Sequence, residues 1–102
     1  MNLDPLAVTR ALSNEVRLHV LQWLKDPARN FPPPDDDAAE GVGVCVSDIQ
    51  RKAGLAASTM SAHLSVLHRA GLVRATRAGQ WTYYQRDEDA IKAFAGWVMT
   101  EL

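Results

Sequence analysis

Ser58-Thr59-Met60-Ser61-Ala62-His63-Leu64-Ser65-Val66-Leu67-His68-Arg69-Ala70-Gly71-Leu72-Val73 is the stretch that decides the fold. Met60, Leu64 and Leu67 recur at helical spacing among small and hydroxyl-bearing residues, so an amphipathic helix is expected from about Ala57 to Ala70. Gly71 closes it, and Leu72 supplies the apolar contact that commonly follows such an end. Just upstream, Ser47-Asp48-Ile49-Gln50 has the S-x-x-Q spacing of a capping box, which predicts a short helix starting at Ser47. Gly54 would end that helix by taking a positive φ. Two short helices joined by a glycine-containing turn form a helix-turn-helix, whose second helix can lie in the major groove of DNA.

The elements outward from this pair fit the same plan. Val73-Arg74-Ala75-Thr76-Arg77 and Trp81-Thr82-Tyr83-Tyr84-Gln85-Arg86 are rich in β-branched and aromatic residues, and Ala78-Gly79-Gln80 joins them, so a hairpin or "wing" is expected. Asp87-Glu88-Asp89 places acids where a helix dipole favours them and begins a last helix, with Ile91, Phe94, Ala95, Val98 and Leu102 on one face. At the other end, Asp4-Pro5 is a capped helix start that runs to about Leu12. Ser13-Asn14 caps a longer helix reaching about Lys25. Residues 26–44 hold four prolines, a run of three Asp and two glycines, and read as an exposed loop, at about 27–44, without helix or strand. The expected fold is mainly α with a small β-hairpin, in one winged helix-turn-helix domain over residues 1–102.

The net charge of −1 hides a division. Residues 26–48 sum to −5 and residues 87–102 to −3, whereas Arg51, Lys52, Arg69, Arg74, Arg77 and Arg86 give residues 49–86 a charge of +6. A basic block with acidic flanks is the electrostatic footprint of a phosphate-binding surface. The single Cys forbids an internal disulfide, no apolar run approaches the ~18 residues of a membrane helix, and Met1-Asn2-Leu3-Asp4-Pro5 is no signal peptide. The chain therefore reads as soluble and cytoplasmic, without a membrane partner. Nearly half of its residues are apolar, more than a domain this small can bury alone, which implies burial between subunits.

Three stretches resemble the ArsR (arsenical-repressor, or ArsR/SmtB) family of bacterial winged-helix repressors. Ala11-Leu12-Ser13-Asn14-Glu15-Val16-Arg17-Leu18 resembles the family's "ALADPTRLRIL". The stretch from Ser58 to Val73 resembles "STVSHHLKVLREAGLV", and Arg77-Ala78-Gly79-Gln80-Trp81-Thr82-Tyr83-Tyr84 resembles its wing, "RREGRWVYY". The resemblance implies a homodimer whose first and last helices pack across a two-fold axis. Leu3, Leu6, Ile91, Phe94, Val98 and Leu102 are then the candidate dimer interface. It also implies double-stranded DNA as the partner, read as an imperfect palindrome, and repression of transcription relieved by a signal.

Ala57, Ser58, Thr59, Ser61, Ala62 and Ser65 lie between the apolar positions and are the candidate DNA-contacting residues of the second helix. Hydroxyls can meet phosphate or base edges, and Ala can meet a thymine methyl. His63 matches a family histidine and is either a DNA contact or a structural residue. Arg69, Arg77 and Gln80 are candidates for backbone or minor-groove contact, with Arg74, Arg51 and Lys52 as further phosphate partners. Trp81, Tyr83 and Tyr84 are expected to pack the sheet against the helices.

Many family members sense metal through Cys-x-Cys in a segment like "ELCVCDL". Here the matching residues are Val44-Cys45-Val46-Ser47-Asp48-Ile49, with one of the two thiols replaced by a hydroxyl. Soft metals require thiolates, so neither a metal site nor a cofactor is expected, and the effector stays unidentified. Cys45 is either a small buried residue or, beside a helix start, a redox-responsive thiol. Catalysis is not expected, because Cys45 with His63 or His68 lacks an acidic orienting partner nearby in sequence. The rival reading is a winged-helix module that binds protein instead of DNA.

Overall fold

The computed structural model describes residues 3–34 and 41–102. Its elements are α1 (Pro5–Leu12), α2 (Glu15–Lys25), α3 (Pro27–Asn30), β1 (Val44–Cys45), α4 (Val46–Ala53), α5 (Ala57–Arg69), β2 (Val73–Ala78), β3 (Trp81–Arg86) and α6 (Glu88–Glu101). Local chemistry sets most of the boundaries. The Asp4 carboxylate accepts from the Ala7 amide with Pro5 in the first turn of α1, Asn14 accepts from Arg17 N at the start of α2, and Asp87 accepts from Ala90 N at the start of α6. Gly54 ends α4 at φ 70° and Gly71 turns the chain out of α5 at φ 82°, where the Leu72 amide bonds back to the Leu67 carbonyl.

Two regions differ from the sequence expectation. The capping box at Ser47 does not form. The N-cap of α4 falls two residues earlier, at Cys45, whose side chain makes no capping hydrogen bond. The cause is pairing: Val44 and Cys45 are extended as β1, antiparallel to Tyr84 and Tyr83 of β3, and the helix starts where that ladder stops. The wing is thus a three-stranded sheet in the order β1-β3-β2 rather than a bare hairpin. Second, the span read as loop contains α3, where Asp26 caps the amide of Arg29 with Pro27 in the first turn, as well as β1. Residues 35–40, with the run of three Asp, lie outside the described residues.

One hydrophobic cluster binds these elements. Val8 and Ala11 of α1, Val20, Leu21 and Leu24 of α2, Phe31, Val44, Ile49 of α4, Met60, Leu64 and Leu67 of α5, and Leu72 and Val73 at the start of β2 are all buried. Tyr84, Ile91 and Phe94 pack on its edge. Burial raises the pKa of the Tyr84 phenol above its ordinary value, because the ionised form is poorly solvated there.

β1 can reach β3 only because residue 43 is glycine. Gly43 has φ 113°, and a Cβ there would lie 2.6 Å from the Tyr84 carbonyl carbon and nearer still to its oxygen. Gly43→Ala is therefore expected to lower stability by ~2 kcal/mol or more, read as a shift in the denaturant midpoint at unchanged m-value. Gly41→Ala, where a Cβ meets open space at a similarly positive φ, should cost less.

Candidate nucleic-acid interface

α5 divides sharply. Met60, Leu64 and Leu67 have no exposed surface. Ala57, Ser58, Thr59, Ser61, Ala62, Ser65 and Arg69 are exposed. Neither a carboxylate nor a bulky apolar side chain stands on that outer face, so a polyanion would meet small groups, hydroxyls and the amide end of the helix. Ala56 is the N-cap and makes no side-chain cap, so the first amides of α5 have no side-chain acceptor there.

His63 differs from its neighbours. It is half-buried, and its Nδ1 lies 3.1 Å from a terminal nitrogen of Arg17. In the sequence Arg17 stands out only as part of a segment that resembles the family. A bond spanning 46 residues leaves no local signal by which to find it.

The wing carries Arg77 and Gln80, both exposed at its tip. β2 and β3 are in register from Val73↔Arg86 to Ala78↔Trp81, and Gly79, with φ 63°, takes the first position of the two-residue turn. The Arg77 Nε donates to the Gly79 carbonyl at 3.4 Å. Trp81 does not pack as expected. It sits beside the turn and is 47% exposed, whereas Tyr84 does join the core.

The basic block is less unopposed than its sequence suggests. Arg86 is paired with Glu88 through Nε at 2.9 Å and a terminal nitrogen at 3.0 Å. Arg51 pairs with Asp48 at 3.1 Å, and Arg74 lies 3.7 Å from Asp87. Lys52 stands over the rings of Trp23 and Phe31, at 5.2 and 6.0 Å from their centroids. Acids just outside the block in sequence fold back onto it, leaving Arg69 and Arg77 without an ion-pair partner among the described residues.

Of the candidate interface residues on the terminal helices, Leu6 and Leu102 are 58% and 88% exposed. Leu3, Ile91 and Phe94 are half-buried against the protomer's own core, and Val98 is half-buried. Met99, 85% exposed, and Trp97, stacked on Phe94, add apolar surface to α6 beyond the residues expected from sequence.

Cys45 is half-buried, with Sγ 3.2 Å from the Ser47 hydroxyl, beside a cavity of about 890 Å³ also lined by Phe31, Trp81 and Tyr83. Among the described residues no group of three His, Cys, Asp or Glu side chains is placed to hold a metal ion. None of the described helices is long and apolar enough to cross a membrane.

The profile of the family described as "Bacterial regulatory protein, arsR family" matches residues 39–75. Over 100 residues the chain is 48% identical to the uncharacterized HTH-type transcriptional regulator YbzH of Bacillus subtilis, covering 98% of this chain and all of that protein. The chain belongs to the ArsR family. It is accordingly a DNA-binding transcriptional regulator with a winged helix-turn-helix, and the family is one of regulators rather than enzymes. It is also 35% identical over 83 residues to the putative arsenical resistance operon repressor ArsR2 of Halobacterium salinarum, covering 81% of this chain and 59% of that one. A solution structure of the homodimeric winged helix-turn-helix DNA-binding domain of Mb0332 from Mycobacterium bovis superposes with a TM-score of 0.63 at 31% identity, over 91% of this chain and 73% of that one.

Arg77 is exposed at the wing tip without an ion-pair partner among the described residues, so its loss is expected to weaken specific and non-specific DNA binding alike. Arg77→Ala is expected to reduce the slope of log affinity against log salt by ~1, measured by fluorescence anisotropy over a salt series. An unchanged slope would exclude Arg77 from the interface.

Proposed function

We propose that the chain is a homodimeric repressor that binds an imperfect palindrome and is released by a signal other than a metal ion. Two copies join through α1 and α6. Their α5 helices then enter successive major grooves ~34 Å apart, while Arg77 and Gln80 at each wing tip meet the adjoining backbone. Blocking the promoter in this way requires no second activity from the protein.

The observation that carries this reading is the separation of two exposed surfaces. Leu6, Met99 and Leu102 put apolar side chains in water on the terminal helices, whereas the outer face of α5 is small and polar. An exposed apolar face of this kind is a protein contact in waiting, and the hydroxyl-bearing face suits a hydrated polyanion. The homodimeric Mycobacterium bovis domain and the relative named as a repressor support the same assignment. The non-metal signal is supported by the donor set: one thiol in the whole chain cannot supply the several thiolates that a soft metal takes. Such a protein works in the cytoplasm, where the DNA is.

Because Leu6 and Met99 are exposed in the protomer, charging them should leave the fold intact. The double variant Leu6→Glu, Met99→Glu is expected to show an unchanged helical spectrum, a monomer mass by light scattering, and DNA affinity at least tenfold weaker than the parent, since two half-sites no longer act together. A variant that remains dimeric would refute the proposed interface.

A further inference from the structure

Arg17 stands where three elements meet. It lies in the first turn of α2, its amide held by the Asn14 side chain at 3.2 Å. Its Nε donates to the Ala11 carbonyl at 2.7 Å, and one terminal nitrogen reaches the Arg10 carbonyl at 3.4 Å. These carbonyls belong to the last turn of α1, where the dipole is negative, and the Arg10 carbonyl also accepts from the Ser13 amide and hydroxyl. The other terminal nitrogen faces His63 Nδ1 on α5 at 3.1 Å. Among the described residues Arg17 has no carboxylate partner, so the guanidinium is committed to two carbonyls and one imidazole.

That commitment settles the state of the ring. A guanidinium carries donors only and keeps its charge in proteins. For the 3.1 Å contact to be a hydrogen bond His63 Nδ1 has to accept, which places the ring's proton on Nε2. Nε2–H has no hydrogen-bond partner among the described residues. The ring sits on α5 between exposed Ala62 and buried Leu64, at the edge of the face that carries Ser58, Thr59 and Ser61.

We infer that Arg17 is a positioning residue for DNA recognition: it ties the end of α1 to α5 and locks His63 in the single tautomer whose Nε2–H is free to donate to a phosphate or base acceptor. Without Arg17 the ring exchanges between tautomers, and one of them offers a lone pair where a donor is needed. The inference rests on α5 being the helix that enters the groove.

The tautomer is read directly by nitrogen NMR on the ¹⁵N-labelled wild-type chain. The expected pattern for His63 is an unprotonated Nδ1 and a protonated Nε2, and Arg17→Met should convert it to a mixture. The same substitution is expected to weaken DNA binding about tenfold, the scale of one charge-assisted hydrogen bond. In a His63→Ala background it should change affinity little, and Arg17→Lys should recover part of the loss. A wild-type ring protonated at Nδ1 would overturn the inference without reference to any variant's stability. So would an Arg17→Met effect just as large without His63, since Arg17 would then act alone. Ser61→Glu separates the two levels of the argument. If it abolishes binding while the Arg17–His63 pair proves additive, only this inference fails; if it leaves binding intact, the assignment of α5 fails with it.

Discussion

Met60, Leu64 and Leu67 are sealed from solvent against α1, α2 and α4, and Leu72 continues the same core beyond the end of α5. Burying side chains of this size contributes about 1.5–3 kcal/mol each, a large share of the 5–15 kcal/mol that holds a typical domain together. The seating of this stripe fixes the rotation of α5 about its own axis. With one face committed to the core, Ser58, Thr59, Ser61, Ala62 and Ser65 face out, and these are small or hydroxylated, while His63 and Val66 sit half-buried at the edges. The exposed face is thus the complement of the packing surface, and one cannot be turned without losing the other.

The wing is tied to the same core at both ends. Val73 is buried where β2 leaves α5, and the Asp87 amide returns to the Leu72 carbonyl at 2.9 Å where β3 gives way to α6. β1 adds a third strand, which joins the start of α4 to the wing through Tyr83 and Tyr84. Arg77 and Gln80 are therefore carried on a sheet anchored to both helices of the helix-turn-helix. Electrostatics is trimmed in the same region. Arg86, Arg74 and Arg51 are matched by Glu88, Asp87 and Asp48, while Arg69 and Arg77 have no ion-pair partner among the described residues. Mutual repulsion is lowered without removing charge from the wing tip.

What could be read from sequence was local. Asp4-Pro5, Asn14, Gly54, Gly71 and Asp87 each act through bonds to residues a turn away, and each works in the structure as its chemistry requires. The stripe of α5 and the alternation of the wing are likewise short-range patterns. Failures came where a distant partner overrode a local preference. Ser47 lost its capping role because Val44 and Cys45 pair with Tyr84 and Tyr83, about forty residues away, and the two-residue β1 is too short to announce itself. The charge block differs in kind: Arg51 with Asp48 and Arg86 with Glu88 are local pairs, hidden only because the acids lie just outside the block's bounds. Arg17 and His63 meet only through the tertiary fold. Trp81, expected to pack the sheet against the helices, stays 47% exposed beside the wing turn.

The central claim is that the outward face of α5 lies against DNA, and placing a negative charge on that face tests it most directly. Ser61 is exposed, so Ser61→Glu should leave the melting temperature within a few degrees of the parent. Binding to a duplex from the protein's own upstream region, measured by mobility shift at low salt, is expected to fall by at least tenfold through repulsion and lost contact. Undiminished affinity in a folded, dimeric Ser61→Glu protein would contradict the account.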